Sequence, residues 1–161
     1  MPLSPGDRAP PAVAAELSGR PAPLAPAGGR PRLLLFYRAD CGASEVAGSV
    51  LPRFGAVPGL DVVAVSQDPA PAAAAFAADR GLRPPVRVVV DAEPFAASDA
   101  FRVRSTPTWV LLDGQGAVAA VAEGWSRDDA NALAAAAARL CGASPVVVAP
   151  PDGPEPALRP G

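Results

Sequence analysis

The sequence contains no histidine and no lysine, and it has only two cysteines, Cys41 and Cys141. Without histidine, neither a Ser-His-Asp nor a Cys-His catalytic site can be assembled, and histidine metal centres are excluded. Two cysteines so far apart in sequence make a poor zinc site. We therefore expect no metal and no cofactor, and any nucleophile must be activated without imidazole.

Long apolar runs and an excess of charge are also missing. No run reaches the roughly 18 residues that a membrane-spanning helix needs. The 14 basic residues, all arginine, face 16 acidic ones, so the net charge is −2 and there is no basic surplus for nucleic acid. The start, MPLSPGDRAPP, shows no apolar leader, and two cysteines do not make a disulfide-stapled secreted module. These features predict a cytoplasmic protein that binds neither nucleic acid nor membranes.

Proline divides the chain into three parts. Of the 22 prolines, 8 fall in residues 1–31 and 6 in residues 145–161. Such stretches cannot form helix interiors. We predict a proline-rich N-terminal segment over 1–31 that leads into the fold, one domain over 32–141, and a flexible proline-rich tail over 142–161.

Strand and helix patterns alternate through the middle part. Apolar or β-branched runs predict strands at 33–37, 61–65 and 86–90, and a hairpin at 109–122 around the turn 114–116. Helices are predicted at 43–54, where Pro52 should kink or end the helix, and at 71–81, 94–101 and 128–140. This order predicts an α/β fold with a mixed central sheet. The sheet is parallel in its βαβ part and antiparallel at the C-terminal hairpin, with helices on both faces.

Cys41 follows the first buried strand and opens the next helix. Unpaired N–H groups and the helix dipole at that point lower the pKa of a thiol. Ser44, one turn later, can donate to the sulfur, and Arg38 adds a nearby cation. Position alone leaves a second interpretation open, in which Cys41 is simply a small buried apolar residue.

Two segments resemble the thioredoxin superfamily. FYRADCGAS at 36–44 is similar to its active-site segment with Cys-x-x-Cys altered to Cys-x-x-Ser, and RSTPTWVLLDGQG at 104–116 is similar to its cis-proline loop. The separation of about 66 residues between Cys41 and Pro107 resembles TlpA-type thiol–disulfide oxidoreductases. PGDRAP at 5–10 also resembles this branch and its alkyl hydroperoxide reductase and thiol-specific antioxidant relatives, the redoxins.

The resemblance implies a thioredoxin-like fold and a reactive Cys41. It also implies a cis peptide bond before Pro107, which would bring the backbone of Thr106 beside Cys41 to pair with an extended substrate. Gly124 would reach the same edge and allow close approach of substrate, although an ordinary strand-ending glycine explains it equally well.

The segment departs from the family pattern because Ser44 replaces the resolving cysteine. Cys141 is a poor substitute, since the final helix carries it about 20 Å from its start. A disulfide needs Cα atoms within about 7 Å, so we expect a structural, non-resolving role for Cys141.

Three functions remain open from the sequence. The first is a monothiol thiol–disulfide oxidoreductase that acts on a disulfide or a glutathione mixed disulfide and is regenerated by an external reducing thiol. The second is a one-cysteine peroxidase with an antioxidant role, although Pro107 stands where its arginine belongs and only Arg38 or Arg104 could substitute. The third is a redox-inactive binding module, which loss of the second cysteine would also fit.

Overall fold

A mixed seven-stranded sheet forms the centre of the computed structural model, which describes all 161 residues. The strands are β1 (Val13–Glu16), β2 (Pro21–Pro23), β3 (Arg32–Tyr37), β4 (Asp61–Ser66), β5 (Arg87–Val90), β6 (Thr108–Leu112), β7 (Val118–Glu123), β8 (Trp125–Ser126) and β9 (Leu158–Arg159). The α-helices are α1 (Gly42–Val50), α2 (Ala70–Arg80), α3 (Ala96–Ala100) and α4 (Arg127–Leu140). The order across the sheet is β2-β1-β5-β4-β3-β6-β7, and β8 and β9 form a separate pair.

The apolar run at 33–37 forms the middle of this sheet. β3 pairs in parallel with β4, which pairs in parallel with β5, while β6 pairs antiparallel with β3 and β7. All five residues of the run are fully buried, as a strand covered on both faces requires. The predicted mixed sheet with a C-terminal antiparallel hairpin is confirmed.

Side chains of β3 alternate between two apolar layers. Leu33, Leu35 and Tyr37 belong to the larger core, which α1, α2 and α4 cover. Leu34 and Phe36 belong to a smaller core, covered by α3 and by apolar residues of the N-terminal segment. Helices therefore lie on both faces, as predicted. None of them combines the length and the apolar character needed to cross a membrane.

Proline and glycine end the helices near where the sequence predicts. α1 stops at Val50, and the chain tightens into a 3₁₀ helix over Leu51–Ala56 with Pro52 in its first turn. A proline is tolerated there because N–H groups in the first turn of a helix have no acceptor within that helix, so the missing N–H group costs no hydrogen bond. α2 ends at Gly81, whose φ of +69° suits glycine.

The N-terminal segment contributes two strands that the sequence analysis did not predict. β1 pairs with β5, and β2 pairs with β1 as the edge strand of the sheet. Pro21 and Pro23 are compatible with β2 because an edge strand can dispense with some N–H donors. Residues 1–31 are therefore part of the sheet and not only a segment that leads into it.

Residues 142–161, which the sequence predicts to be a flexible tail, pack against the domain at several points. Val148 and Ala149 are fully buried, and their N–H groups donate to the side-chain oxygen of Asn131 in α4 at 3.0 and 2.9 Å. Glu155 is also buried and pairs with Arg53 at 2.5 Å. Many prolines exclude helix, but an extended chain can still pack through backbone hydrogen bonds.

Replacing Asn131 by alanine is expected to lower the free energy of unfolding by about 1–3 kcal/mol, because two buried N–H groups lose their acceptor. Alanine has the higher helix propensity, so an effect of propensity alone would have the opposite sign. Urea denaturation followed by circular dichroism measures the change. An unchanged or raised midpoint would show that this stretch does not pack against α4.

Candidate functional site

Cys41 lies at the junction between the central strand and the helix that follows it. It is the N-cap of α1, with an extended backbone (φ −106°, ψ 121°), and its side chain is half-buried. The first N–H groups of a helix have no partners within the helix, and its dipole is positive at that end. The thiol of Cys41 therefore lies where a negative charge is favoured.

The loop before β6 faces the sulfur from the other side. Because β3 and β6 are antiparallel, with Phe36 opposite Thr108, the end of one strand and the start of the other share a sheet edge. The Sγ atom of Cys41 donates to the carbonyl oxygen of Thr106 at 3.2 Å. The Thr106–Pro107 peptide bond is cis. The two segments singled out in the sequence thus meet directly.

Uncharged hydrogen-bond donors lower the pKa of the Cys41 thiol. Burial alone would raise its pKa, but the N–H and hydroxyl groups of Ser44 and the N–H group of Ala43 outweigh burial. The pKa of the Cys41 thiol consequently lies below its ordinary value. Ser44 is fully buried, and its oxygen accepts from the N–H group of Arg38 at 3.4 Å, which fixes the hydroxyl beside the sulfur.

The guanidinium of Arg38 does not take the place expected from the sequence. It pairs with Asp40 at 3.2 Å, and both side chains are more than half exposed. The groups that lower the pKa of Cys41 are hydrogen-bond donors of the helix start and not this cation. Arg38 contributes to the site through its backbone N–H group.

Asp68 is a positioning residue that the sequence analysis missed. Its carboxylate accepts from the N–H group of Ala39 at 2.8 Å and from the hydroxyl of Ser66 at 3.3 Å. It thereby ties the turn before Cys41 to the end of β4. An acidic residue two positions after a parallel strand, at the same sheet edge as Cys41, is the signal that could have identified it.

Gly124 adjoins the proline loop. Its N–H group donates to the carbonyl of Pro107 at 2.8 Å, and its φ of +73° belongs to the left-handed region that favours glycine. Its carbonyl accepts from the indole N–H of Trp109 at 3.3 Å. The structure brings Gly124, Thr106, Pro107 and Cys41 to one edge, as the sequence analysis expected.

Cys141 lies elsewhere, in a different environment. It is the C-cap of α4, beside Gly59, and both cysteines of the chain are free. Burial raises the pKa of the Cys141 thiol, with Arg30 opposing this effect. The two thiols therefore differ in the direction of their pKa shifts.

A polar cavity of about 270 Å³ adjoins Thr106. Two arginines, Arg38 and Arg104, lie on its wall together with the amide of Gln67 and the hydroxyl of Ser98. Arg104 also pairs with Glu123 at 3.3 Å. The cavity, whose wall also carries Asp99, can accommodate a small polar group beside Thr106.

The last residues of the chain reach the site, which the sequence analysis missed. The guanidinium of Arg159 lies against Gly42, and Gly161 lies against the carbonyl of Thr106. Their proline-rich surroundings gave no sign of this contact.

Comparison with models of protein families finds no match. The methylamine utilization protein MauD of Paracoccus denitrificans is 36% identical to the chain over 117 residues, which are 71% of this chain and 56% of that protein. The chain therefore spans little more than half the length of this relative.

Solved structures similar to this one include proteins assigned to disulfide chemistry. A protein from Chlorobium tepidum assigned as the thiol:disulfide interchange protein DsbE superimposes with a TM-score of 0.72 at 26% identity, covering 87% of this chain and 99% of that one. A secreted Mycobacterium tuberculosis disulfide oxidoreductase homologous to DsbE has a TM-score of 0.63 at 19% identity, covering 76% and 93%. A peroxiredoxin-like protein of Aquifex aeolicus has a TM-score of 0.58 at 20% identity, covering 76% and 77%.

Alkylation by iodoacetamide is expected to reveal the different pKa shifts of the two thiols. Because only a thiolate reacts, the rate for Cys41 should persist to lower pH than the rate for Cys141. Replacing Ser44 by alanine removes one donor to the charged sulfur, so the rate for Cys41 at pH 7 should fall about two- to tenfold.

The rates are measured in single-cysteine variants across pH 5–10. Ser49→Ala is the matched control, since this hydroxyl donates to the carbonyl of Glu45 on the same helix. Equal pH profiles for the two thiols would contradict this description of the site.

Proposed function

We infer that the chain belongs to the thioredoxin-like superfamily, in the redoxin branch that includes TlpA-type thiol–disulfide oxidoreductases, because its fold matches such proteins and MauD is 36% identical over 117 residues. From this premise we propose that it is a thiol–disulfide oxidoreductase that works through the single thiolate of Cys41. The observation that carries the proposal is the position of Sγ, between the N–H groups at the start of α1 and the backbone of Thr106. A thiolate is the nucleophile in disulfide exchange, and these donors favour the thiolate.

In the first step the Cys41 thiolate attacks one sulfur of a disulfide R–S–S–R′. A bond forms between Sγ and the attacked sulfur, the S–S bond breaks, and R′S⁻ leaves and takes up a proton from solvent. The protein then carries a mixed disulfide, Cys41–S–S–R. Atoms and electrons balance without any further oxidant.

In the second step an external thiol must remove the group R. Ser44 stands where a resolving thiol would act, and a hydroxyl cannot form a disulfide. The thiolate of an external thiol R″SH attacks the sulfur of R, R–S–S–R″ leaves, and the Cys41 thiolate is regenerated. We place this reaction in the cytoplasm, where small thiols are abundant.

Substrate recognition is assigned to the edge that carries Thr106 and Gly124. The backbone of Thr106 offers a carbonyl for an extended segment, and Gly124 leaves room for it because it has no side chain. The polar cavity beside Thr106 offers the amide of Gln67 and the hydroxyl of Ser98 to the polar groups of a small disulfide such as a glutathione mixed disulfide.

The ion pairs of two arginines and the lowered pKa of Cys41 favour disulfide exchange over the two alternative functions. A peroxidase needs an arginine free to polarise the peroxide, but Arg38 pairs with Asp40 and Arg104 pairs with Glu123. An inert binding module has no need for a lowered thiol pKa, which Cys41 has. We therefore rank both alternatives below the oxidoreductase.

Incubation with oxidised glutathione is expected to add one glutathione to Cys41. Intact-protein and peptide mass spectrometry identify the modified residue, and a reducing thiol should remove the group. The Cys141→Ala variant is the matched control and should react like the original chain, whereas Cys41→Ala should not react. Modification of Cys141 alone, or of neither cysteine, would contradict the proposal.

The Ser44→Cys variant is expected to gain dithiol reductase activity. Because the Ser44 side chain lies one turn after Cys41 and helps to lower the pKa of its thiol, a thiol at this position is expected within reach to form a disulfide. Reduction of insulin by dithiothreitol should accelerate at least several-fold relative to the original chain. Ser49→Cys places a thiol on the same helix away from the sulfur and should give no gain. An unchanged rate with Ser44→Cys would count against this active site.

A further inference from the structure

Residues 157–161, which we call the tail segment, lie at the site and include the short strand β9. β9 pairs antiparallel with β8, with Arg159 opposite Trp125 and Leu158 opposite Ser126. The N–H group of Arg127 donates to the carbonyl of Ala157 at 2.9 Å. The tail segment is thus attached to the stretch of chain that directly follows Gly124.

One side of the tail segment contacts the start of α1. The guanidinium of Arg159 lies so close to Gly42 that a Cβ atom there would be 2.3 Å from its Nη2 atom. Gly42 is the residue directly after Cys41. The space beside the residue that follows the thiol is therefore already occupied by a side chain of the tail segment.

The other end of the tail segment contacts the proline loop. A Cβ atom at Gly161 would lie 2.2 Å from the carbonyl oxygen of Thr106 and 3.5 Å from Cδ of Pro107. A Cβ atom at Gly124 would lie 3.3 Å from the backbone N atom of Gly161. Both approaches depend on glycine, because a side chain at either position would collide with backbone.

We propose that the tail segment is an intramolecular competitor for the groove formed by Gly42, Thr106 and Gly124, and that extended polypeptide substrates must displace it. This inference rests on the proposed function, which assigns the same groove to the substrate. It adds that the protein is held in a covered state and that its reaction with peptides depends on release of the tail segment.

The hydrogen bonds around the tail segment allow such release. Glu155 is buried and pairs with Arg53, and the carbonyl of Pro156 accepts from the indole N–H of Trp125 at 2.6 Å. All residues after Glu155 are exposed, and β9 has only two residues. The chain is therefore anchored firmly up to Pro156 and held weakly beyond it, so that the tail segment can detach without unfolding the domain.

The test compares the original chain with a variant that lacks residues 157–161, both in a Cys141→Ala background. The first probe is a ten-residue extended peptide whose single cysteine forms a mixed disulfide with 5-thio-2-nitrobenzoate, and the second is the small disulfide hydroxyethyl disulfide. If the tail segment covers the groove about nine-tenths of the time, its removal should raise the rate with the peptide about tenfold. The rate with the small disulfide should change less than about twofold.

Point variants distinguish coverage of the groove by the tail segment from an effect of the Arg159 charge. Gly161→Val should act like the deletion, since its side chain collides with the carbonyl of Thr106. Arg159→Gln removes the cation but keeps both the strand and a long side chain against Gly42, and it should leave the ratio of the two rates within about twofold of the original. Asp152→Ala alters an exposed residue before the groove and should have no effect. An unchanged ratio in the deletion variant, or a full effect from Arg159→Gln alone, would overturn the proposal.

A third probe keeps this test independent of disulfide exchange. The rate at which a bulky maleimide alkylates Cys41, divided by the rate with iodoacetamide, should rise about tenfold in the deletion variant. If this ratio rises while neither chain reacts with disulfides, the proposed function fails and the covered groove stands. If disulfides react but the deletion changes neither the maleimide ratio nor the peptide rate, the proposed function is supported. The proposal that the tail segment competes for the groove is then wrong.

Discussion

The contact between Sγ of Cys41 and the backbone of Thr106 is the interaction on which the site depends. It exists because β3 and β6 are antiparallel neighbours, so that the segment leaving one strand meets the segment entering the other. The buried hydroxyl of Ser44 and the amides at the start of α1 then act on a sulfur that is already fixed in place. Backbone N–H groups and one hydroxyl lower the pKa of this thiol, in a chain that contains no histidine.

The centre of the fold could be predicted from the sequence, whereas its margins could not. The fully apolar run at 33–37 has few alternatives to a buried central strand, and Pro52 and Gly81 limit the helices through local chemistry. β2 and the stretch after Cys141 depend instead on tertiary partners. Pro21 and Pro23 occur in an edge strand, and Val148 is held by Asn131, neither of which leaves a periodic pattern in the sequence.

The site shows the same division. Cys41, Thr106 and Gly124 could be placed together because the resemblance to the thioredoxin superfamily implies that their loops share an edge. The guanidinium of Arg38 was expected near the thiol, but it pairs with Asp40. This pairing depends on a side-chain rotamer, which sequence spacing does not determine. The contact of Arg159 with Gly42 joins residues more than a hundred positions apart, and no local rule connects them.

The ion pair of Glu155 with Arg53 sets the geometry of a tether. Six residues span at most about 20 Å, so residues 156–161 stay within that distance of the ion pair even when β9 is not paired. A ligand tethered this closely has an effective concentration on the order of millimolar. A dissolved polypeptide at micromolar concentration would therefore compete poorly unless its own contacts with the edge are stronger. Discrimination between partners would then arise from a threshold in binding strength as well as from the shape of the edge.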